Sequence, residues 1–348
     1  MKLSDDRTPK KMSSHGVVTN PDRDRELSLL VMGNITLDYV ADVDRLPAPG
    51  KTALIRNAGM YPGGRGANVA VIASKLGLSV DLVSFVGEDF PESYRRDLEK
   101  NKINLSKVRK VAGARCARFF VFKDPDGATG QLLEPIILAR QEELALSAHD
   151  VRNHSGTYVT PLDSDRHIVK LQDALMQSRN VFLSLGEEVY RKTPERLQCF
   201  LCSTHYLFMN QHEFSDLSAI LEIKSPGDMF KLAPRLLALI VTEEEKGCKA
   251  WTRQIVLSVP AIPTKKRTEL GGGDAFAAGF IFSILSGSSI LNGMRMATTI
   301  ASIALEGNSV QSAIVDWRKI KRKYSSTFGS LPVTRMRVAR VNAKIWRD

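Results

Sequence analysis

Residues 268–280 read Thr268-Glu269-Leu270-Gly271-Gly272-Gly273-Asp274-Ala275-Phe276-Ala277-Ala278-Gly279-Phe280. Three glycines precede a lone carboxylate, and an apolar run follows it. Glycines at a helix start leave consecutive backbone N–H groups open to close approach, and a helix beginning near Asp274 adds the positive end of its dipole. Negative charge developing on a transferring phosphoryl group would be stabilised there, while Asp274 can accept the proton of an attacking hydroxyl. A glycine turn whose aspartate merely caps a helix accounts for the same letters. The rest of the chain has to decide between them.

Working outward, short apolar runs alternate with helical patterns. The run in 26–42 is a buried first strand that opens at Gly33-Asn34 onto a polar loop. Gly63 to Gly77 starts with glycines and continues as an Ala-rich helix. Strands are expected at 78–86, 180–185, 206–209, 236–242 and 254–259, with helices at 94–101, 194–202, 274–285 and 291–305. This alternation predicts an α/β fold, a doubly wound and mainly parallel sheet flanked by helices. Two β-rich pieces, near 45–62 and 115–137, are assigned to a small β lid.

Composition sets outer bounds. With 348 residues, 43% of them hydrophobic, the chain can build one large α/β domain or two ordinary ones. It has no run of about 18 uninterrupted apolar residues, so no membrane partner is expected. Residues 1–26 are polar and lack an apolar h-region; they read as a poorly ordered leader, and a cytoplasmic chain is expected. The net charge of +11 resembles a nucleic-acid signature until it is located, because ten Lys or Arg against one acid fall within 317–348. The body over 27–316 is nearly neutral. RNA or an acidic surface is therefore a candidate partner for the basic extension 317–348 alone, against the plainer reading of a solvated tail. Cys199-x-x-Cys202, with His205 and His212 nearby, raises zinc, but LQCFLCSTHYLFMN reads as helix end, turn and buried strand with ordinary thiols.

Three further motifs bear on the chemistry. Gly50-Lys51-Thr52 is no P-loop, since Arg45 stands where that motif needs its first glycine. Gly63-Gly64-Arg65-Gly66-Ala67-Asn68 lacks the spacing of a dinucleotide fingerprint, yet its glycines permit close backbone approach, and Arg65 and Asn68 bring donors suited to hydroxyls or phosphates. Asn210 and Glu213, three apart at the end of an apolar strand, suit hydrated Mg²⁺ or a helix cap equally well.

In this order the pieces resemble the ribokinase-like (pfkB) family of carbohydrate and nucleoside kinases, from about Leu29 to Gly307. The anchors are GNITLDYV with Asp38, PGGRGANVAVIASKLG, FVGEDF, FMNQHE, VTEEEKG and GGGDAFAAGF. The resemblance implies a kinase domain over 27–316, with Asp274 as the base and Gly271, Gly272 and Gly273 as the anion hole. It implies that Asn34, Asp38, Gly63, Gly64 and Asn68 bind acceptor hydroxyls. Asn210 and Glu213 would organise Mg²⁺ and the donor phosphates, with Thr242 and Gly247 on the nucleotide side. The implied activity is transfer of the γ-phosphoryl group of ATP to a sugar hydroxyl, a nucleoside being the alternative acceptor. The lid would close over the acceptor and exclude water, and in some relatives it also forms a homodimer interface. Departures stand at Thr268 (usually Asp or Asn), Glu269 (usually Thr), Gly272 (usually Ala) and Glu244 (often Gly). LEPIILARQEEL lacks a Pro-Gly-Ala-Asn pattern common in sugar kinases, and Ser184-Leu185-Gly186 replaces an archaeal Asp-Pro-Gly. These changes keep open a rival reading, a catalytically weak regulatory or binding homologue.

Overall fold

Leu29, Leu30 and Val31 have no solvent exposure at all. They belong to β1 (Ser28–Met32), an inner strand of a nine-stranded sheet in a computed structural model that describes residues 26–134, 146–160, 168–186, 193–268, 270–307, 309–313 and 315–331. The expected leader through residue 25, the stretch 135–144 that includes most of LEPIILARQEEL, Glu269 and the tail from 332 lie outside the described residues.

A strand that is apolar on both faces must be covered on both faces, which is the parallel-sheet signature. Accordingly β1 pairs in parallel with β4 (Ser79–Val86) on one side and β8 (Gly156–Val159) on the other. The sheet continues in parallel to β5 (Ile103–Lys110) at one edge. In the other direction it runs through β9 (Val181–Ser184), β10 (Tyr206–Asn210) and β11 (Ala238–Thr242). The antiparallel strands β12 (Cys248–Trp251) and β13 (Val256–Val259) close that edge. Both β8 and β12, four residues each, escape the sequence pattern.

Around the sheet lie α1 (Arg65–Lys75), α2 (Glu92–Lys100), α3 (Ala148–Arg152), α4 (Ile168–Met176), α5 (Pro194–Ser203), α6 (Gln211–Ile220), α7 (Met229–Leu232), α8 (Gly272–Leu285), α9 (Ile290–Leu305) and α10 (Trp317–Phe328). Ten consecutive residues of α8, Asp274 to Ser283, are buried, so this helix runs through the core rather than over it. Phe280 packs edge-on against Phe208 and Tyr206 of β10. A Cβ at Gly279 would lie 3.0 Å from the Ala297 Cα, so the glycine permits close contact of α8 with α9.

Trp317, Ile320 and Tyr324 of α10 join the main hydrophobic cluster, and Lys319 and Lys323 each approach Glu306 at 2.7 Å. The stretch placed at the head of the basic extension is thus a packed helix as far as Phe328. Cys199 and Cys202 lie on α5, and the His205 imidazole accepts from the Val181 N–H at 3.0 Å. Burial pushes that imidazole down to about 4, which suits its acceptor role.

The lid is a separate four-stranded sheet, ordered β3 (Ile55–Gly63), β2 (Thr36–Val43), β6 (Ala117–Lys123), β7 (Thr129–Glu134). Its inner strand β2 falls where a polar loop was expected. The reason is its burial: one edge of β2 is paired by β3 and the other by β6, and the alternation of Asp38, Val40 and Asp42 with apolar neighbours is that of a two-faced strand. Register places Met60, Tyr39, Phe120 and Leu132 in one row across the sheet, on the face opposite Asp38.

Candidate active site

The glycines before Asp274 differ in what they do. Gly271 sits in the left-handed region at φ +75, and a Cβ there would meet Val310 Cγ2 at 2.6 Å. Gly272 faces the flexible end of Leu305 at 3.2 Å, so the alanine usual at this place would fit. Gly273 has open space around it, which leaves the first amides of α8 accessible to an anion. The chain therefore turns once, tightly, and presents a bare helix N-terminus.

Asp274 follows in the first turn of α8, only 7% exposed. Asn68 of α1 donates through Nδ2 to its Oδ2 at 2.8 Å. Burial pushes the Asp274 carboxyl up to about 7, against the pull of the Asn68 hydrogen bond and the Arg65 guanidinium; Asp38 and Glu213 add to the rise. A carboxylate with that value is both basic and substantially ionised near neutrality, the condition for a general base.

Beside it lies a cavity of about 180 Å³ lined by Asp38, Val40, Asp42, Tyr61 and Lys123 of the lid and by Asn68, Arg267, Thr268 and Leu270 of the body. Burial pushes Asp38 up to about 6, opposed by the Thr36 hydroxyl that donates to its Oδ1 at 2.5 Å. Gly63 is the reason that carboxylate has room, since a Cβ there would lie 2.1 Å from the Asp38 carboxyl. At Gly64, φ +98, a Cβ would lie 2.5 Å from the Asn34 carbonyl oxygen. Asn34 itself receives the Ala67 N–H on its backbone oxygen and approaches the Gly66 N–H with Oδ1, so it shapes the α1 entry and does not line the cavity.

The remaining expected residues gather past the carboxyl end of β10 and β11. Asn210 and Glu213 form a reciprocal cap on α6: Asn210 Oδ1 accepts from the Glu213 N–H and Glu213 Oε2 from the Asn210 N–H, both at 2.8 Å. Thr242 stands beside Asn210 in register and donates to the Met209 carbonyl at 3.4 Å. Gly247, at φ +99, would carry a Cβ 2.1 Å from the Val259 carbonyl, so close approach of the β13 end explains that glycine. Among the described residues no three acidic, His or Cys side chains gather as a metal-binding group. One carboxylate with an amide still suits a hydrated Mg²⁺, which binds through few protein ligands and the phosphates it carries. The Thr268 hydroxyl accepts from the Leu270 N–H at 3.3 Å and so braces the lead-in to the glycine turn. Glu244 is exposed at φ +50, a conformation that glycine adopts without strain.

Sequence reasoning missed three groups here. Tyr94 donates to the Gly63 carbonyl at 2.7 Å, from a helix with no glycine signal to mark it. Gln311 donates to Asn68 Oδ1 at 2.9 Å from 243 residues away. Tyr158, on β8, is fully buried beneath the site and feels the charges of Asp274, Arg65 and Glu213. Gly186 has a role that shows only in three dimensions, because a Cβ there would fall inside the Arg65 guanidinium, 1.2 Å from Nη1.

A sequence profile described as pfkB family carbohydrate kinase matches residues 26–317. A nucleoside kinase of Methanocaldococcus jannaschii is 28% identical over 291 residues, 83% of this chain and 94% of its own. A ribokinase of Lactococcus lactis is 24% identical over 310 residues, 84% of this chain and 95% of its own. Among solved structures, a crystal structure of the Methanocaldococcus jannaschii nucleoside kinase superposes with a TM-score of 0.78 at 26% identity, covering 86% of this chain and 98% of that one.

Proposed function

Because the chain belongs to the pfkB family of carbohydrate kinases, we propose that it moves the γ-phosphoryl group of ATP to the primary hydroxyl of a sugar, with Asp274 as the base. The observation that carries the assignment of the base is the position of Asp274: a buried carboxylate, pushed up to about 7, in the first turn of a helix whose glycine N-terminus is open. Asp38 and Asn68 would hold acceptor hydroxyls in the cavity, within the space that Gly63 and Gly64 leave for Asp38 and the turn. Asn34 would act indirectly by shaping that turn. When Asp274 takes the hydroxyl proton, the oxygen attacks the γ-phosphorus in line as its bond to the β,γ-bridging oxygen breaks and ADP leaves, and the amides of Gly271, Gly272 and Gly273 would meet the charge that spreads over the moving phosphoryl oxygens. No covalent intermediate on the protein is needed.

Asn210 and Glu213 would hold hydrated Mg²⁺ arriving with the nucleotide, and Mg²⁺ would neutralise phosphate charge. Thr242 and Gly247 would border the donor. Closure of the lid would bring Asp38 and Tyr61 over the acceptor and shut out water, limiting hydrolysis of ATP. A nucleoside acceptor is the second reading; the 28% identity to a nucleoside kinase favours it. The outer row of the lid leaves Met60 51% and Leu132 62% exposed beside Tyr39 and Phe120, an apolar strip suited to a second copy of this lid. A soluble, cytoplasmic working site accords with a described structure in which no helix is long and apolar enough to cross a membrane.

A panel of sugars and nucleosides offered with MgATP separates the two acceptor classes by kcat/KM. Asp274→Asn is expected to lower kcat by about a thousandfold or more while MgATP still binds. Undiminished turnover in that variant would remove Asp274 from the mechanism, and failure of every acceptor despite tight MgATP binding would favour the regulatory homologue.

A further inference from the structure

We infer that Gln311, in the loop between α9 and α10, is a positioning residue that sets which way the Asn68 amide faces and thereby how the Asp274 carboxylate is held. It rests on the geometry of four groups whose donors and acceptors admit one arrangement while Asp274 is ionised. Asn68 stands 2.8 Å from Asp274 Oδ2, and only its NH₂ end can face a carboxylate there, since its carbonyl would set two acceptors together. That turns Asn68 Oδ1 away, where it accepts from Gln311 Nε2 at 2.9 Å.

The other amide hydrogen of Gln311 goes to the Tyr94 hydroxyl at 2.7 Å, with the Gly63 carbonyl a longer contact at 3.4 Å. Tyr94 has a single hydrogen, which it spends on the Gly63 carbonyl at 2.7 Å, so toward Gln311 it can only accept. One side chain thus braces Asn68 on the base side and, through Tyr94, the Gly63 turn that makes room for Asp38. The loop is itself tied to α1, the helix of Asn68, by Lys75, whose Nζ donates to the Gln311 carbonyl at 2.6 Å and the Ala313 carbonyl at 2.9 Å. Among the described residues the second Asn68 amide hydrogen has no partner, so an acceptor hydroxyl would meet it as a hydrogen-bond acceptor.

The consequence can be read without any acceptor. Other charged groups act on Asp274: Arg65 from α1 lowers its proton affinity, while Asp38 from the lid and Glu213 from α6 raise it, and Tyr158 lies beneath. Gln311 hydrogen-bonds to none of these groups, and Tyr94→Phe controls for what its other arm does to Asp38 through the Gly63 turn. Loss of the Asn68 hydrogen bond should therefore move the Asp274 titration upward on its own. The melting temperature of full-length protein would be followed from pH 4.5 to 9 for the native chain and Asp274→Asn, and again in the Gln311→Met background. Within each pair the slope of the difference against pH counts the protons that Asp274 releases, and the pH at which that slope falls to half its steepest value is the titration midpoint of folded Asp274.

That midpoint is expected to rise by about half a pH unit or more in Gln311→Met. Tyr94→Phe, which cuts only the other arm, should leave it in place. Gln311→Asn, which keeps the amide but falls one methylene short, serves if the methionine variant fails to fold and should shift the midpoint the same way. An unmoved midpoint in the folded Gln311 variant overturns the inference, as does an equal shift in Tyr94→Phe. Kinetics keep this separate from the proposed catalytic role, on which it rests only for its effect on rate. A shifted midpoint beside an active Asp274→Asn would sustain the positioning and refute the base.

Discussion

The proposed acceptor side and the proposed donor side of this site are built differently. On the acceptor side, Asp38, Asn68 and Asp274 are held by side-chain hydrogen bonds and by glycines whose Cβ atoms would collide with named neighbours. On the donor side, Asn210 and Glu213 satisfy each other as a helix cap, and Glu244 lies exposed in a left-handed turn. The first region is held together by its own side chains, and two carboxyls that titrate close to neutral pH make that organisation responsive to pH. The second has ordinary structural reasons for its residues, and in the proposed mechanism it would recruit them when nucleotide arrives.

The sharpest way to break this contrast is Gly63→Ala. Its Cβ would displace the Asp38 carboxyl, so kcat/KM for the acceptor should fall by roughly thirtyfold or more, about 2 kcal/mol, while the KM for ATP stays put. An equal loss on both substrates would mean that the two sides are not separable.

Acidity should act next. Activity that needs Asp38 and Asp274 ionised will climb as pH rises through about 6 to about 7, and a flat profile between pH 5 and 8 would contradict their raised values. Stability moves the opposite way. Asp274 binds its proton more tightly folded (about 7) than at the ordinary value of 3.8, so its contribution is whole below about 4 and is lost as pH rises through about 7. Asp274→Asn should therefore melt above the native protein at pH 8, with the gap closing toward pH 4.

On the donor side the effects shrink. Asn210→Ala removes the cap on α6 and should cost about 1 kcal/mol in a denaturant melt. It should also raise the KM for MgATP several-fold with little change on the acceptor. Smallest of all, Glu244→Gly relieves a left-handed residue and is expected to gain about 1 kcal/mol of stability. A loss of stability there would show that the glutamate is tied down by contacts beyond the turn.

Much of this was legible beforehand, for a local reason. Buried parallel strands announce themselves as unbroken apolar runs, as in β1 and β11, and the glycines at 63–64 and 271–273 mark positions where backbone geometry leaves little choice. Strand β2 was not legible, because its burial comes from pairing on both edges by strands from distant parts of the chain. The strands β8 (Gly-Thr-Tyr-Val) and β12 (Cys-Lys-Ala-Trp) lack the aliphatic run that marks the equally short β9 and β13. Gln311 had no signal either. It is one amide in a polar loop, and its meaning lies wholly in the Asn68 and Tyr94 atoms that it reaches.

Left to itself, then, the sequence determined the α/β alternation, the glycine turn ahead of α8, and Asp274 as its one carboxylate, since these depend on neighbours within a few positions. Tertiary structure alone decided that Asp274 would be buried enough to hold a proton near neutrality. It also decided that Asn68 would face Asp274 and that Gly186 would make room for Arg65. Each of those facts is a meeting of residues far apart in the chain, and desolvation and hydrogen-bond direction exist only once the meeting has occurred.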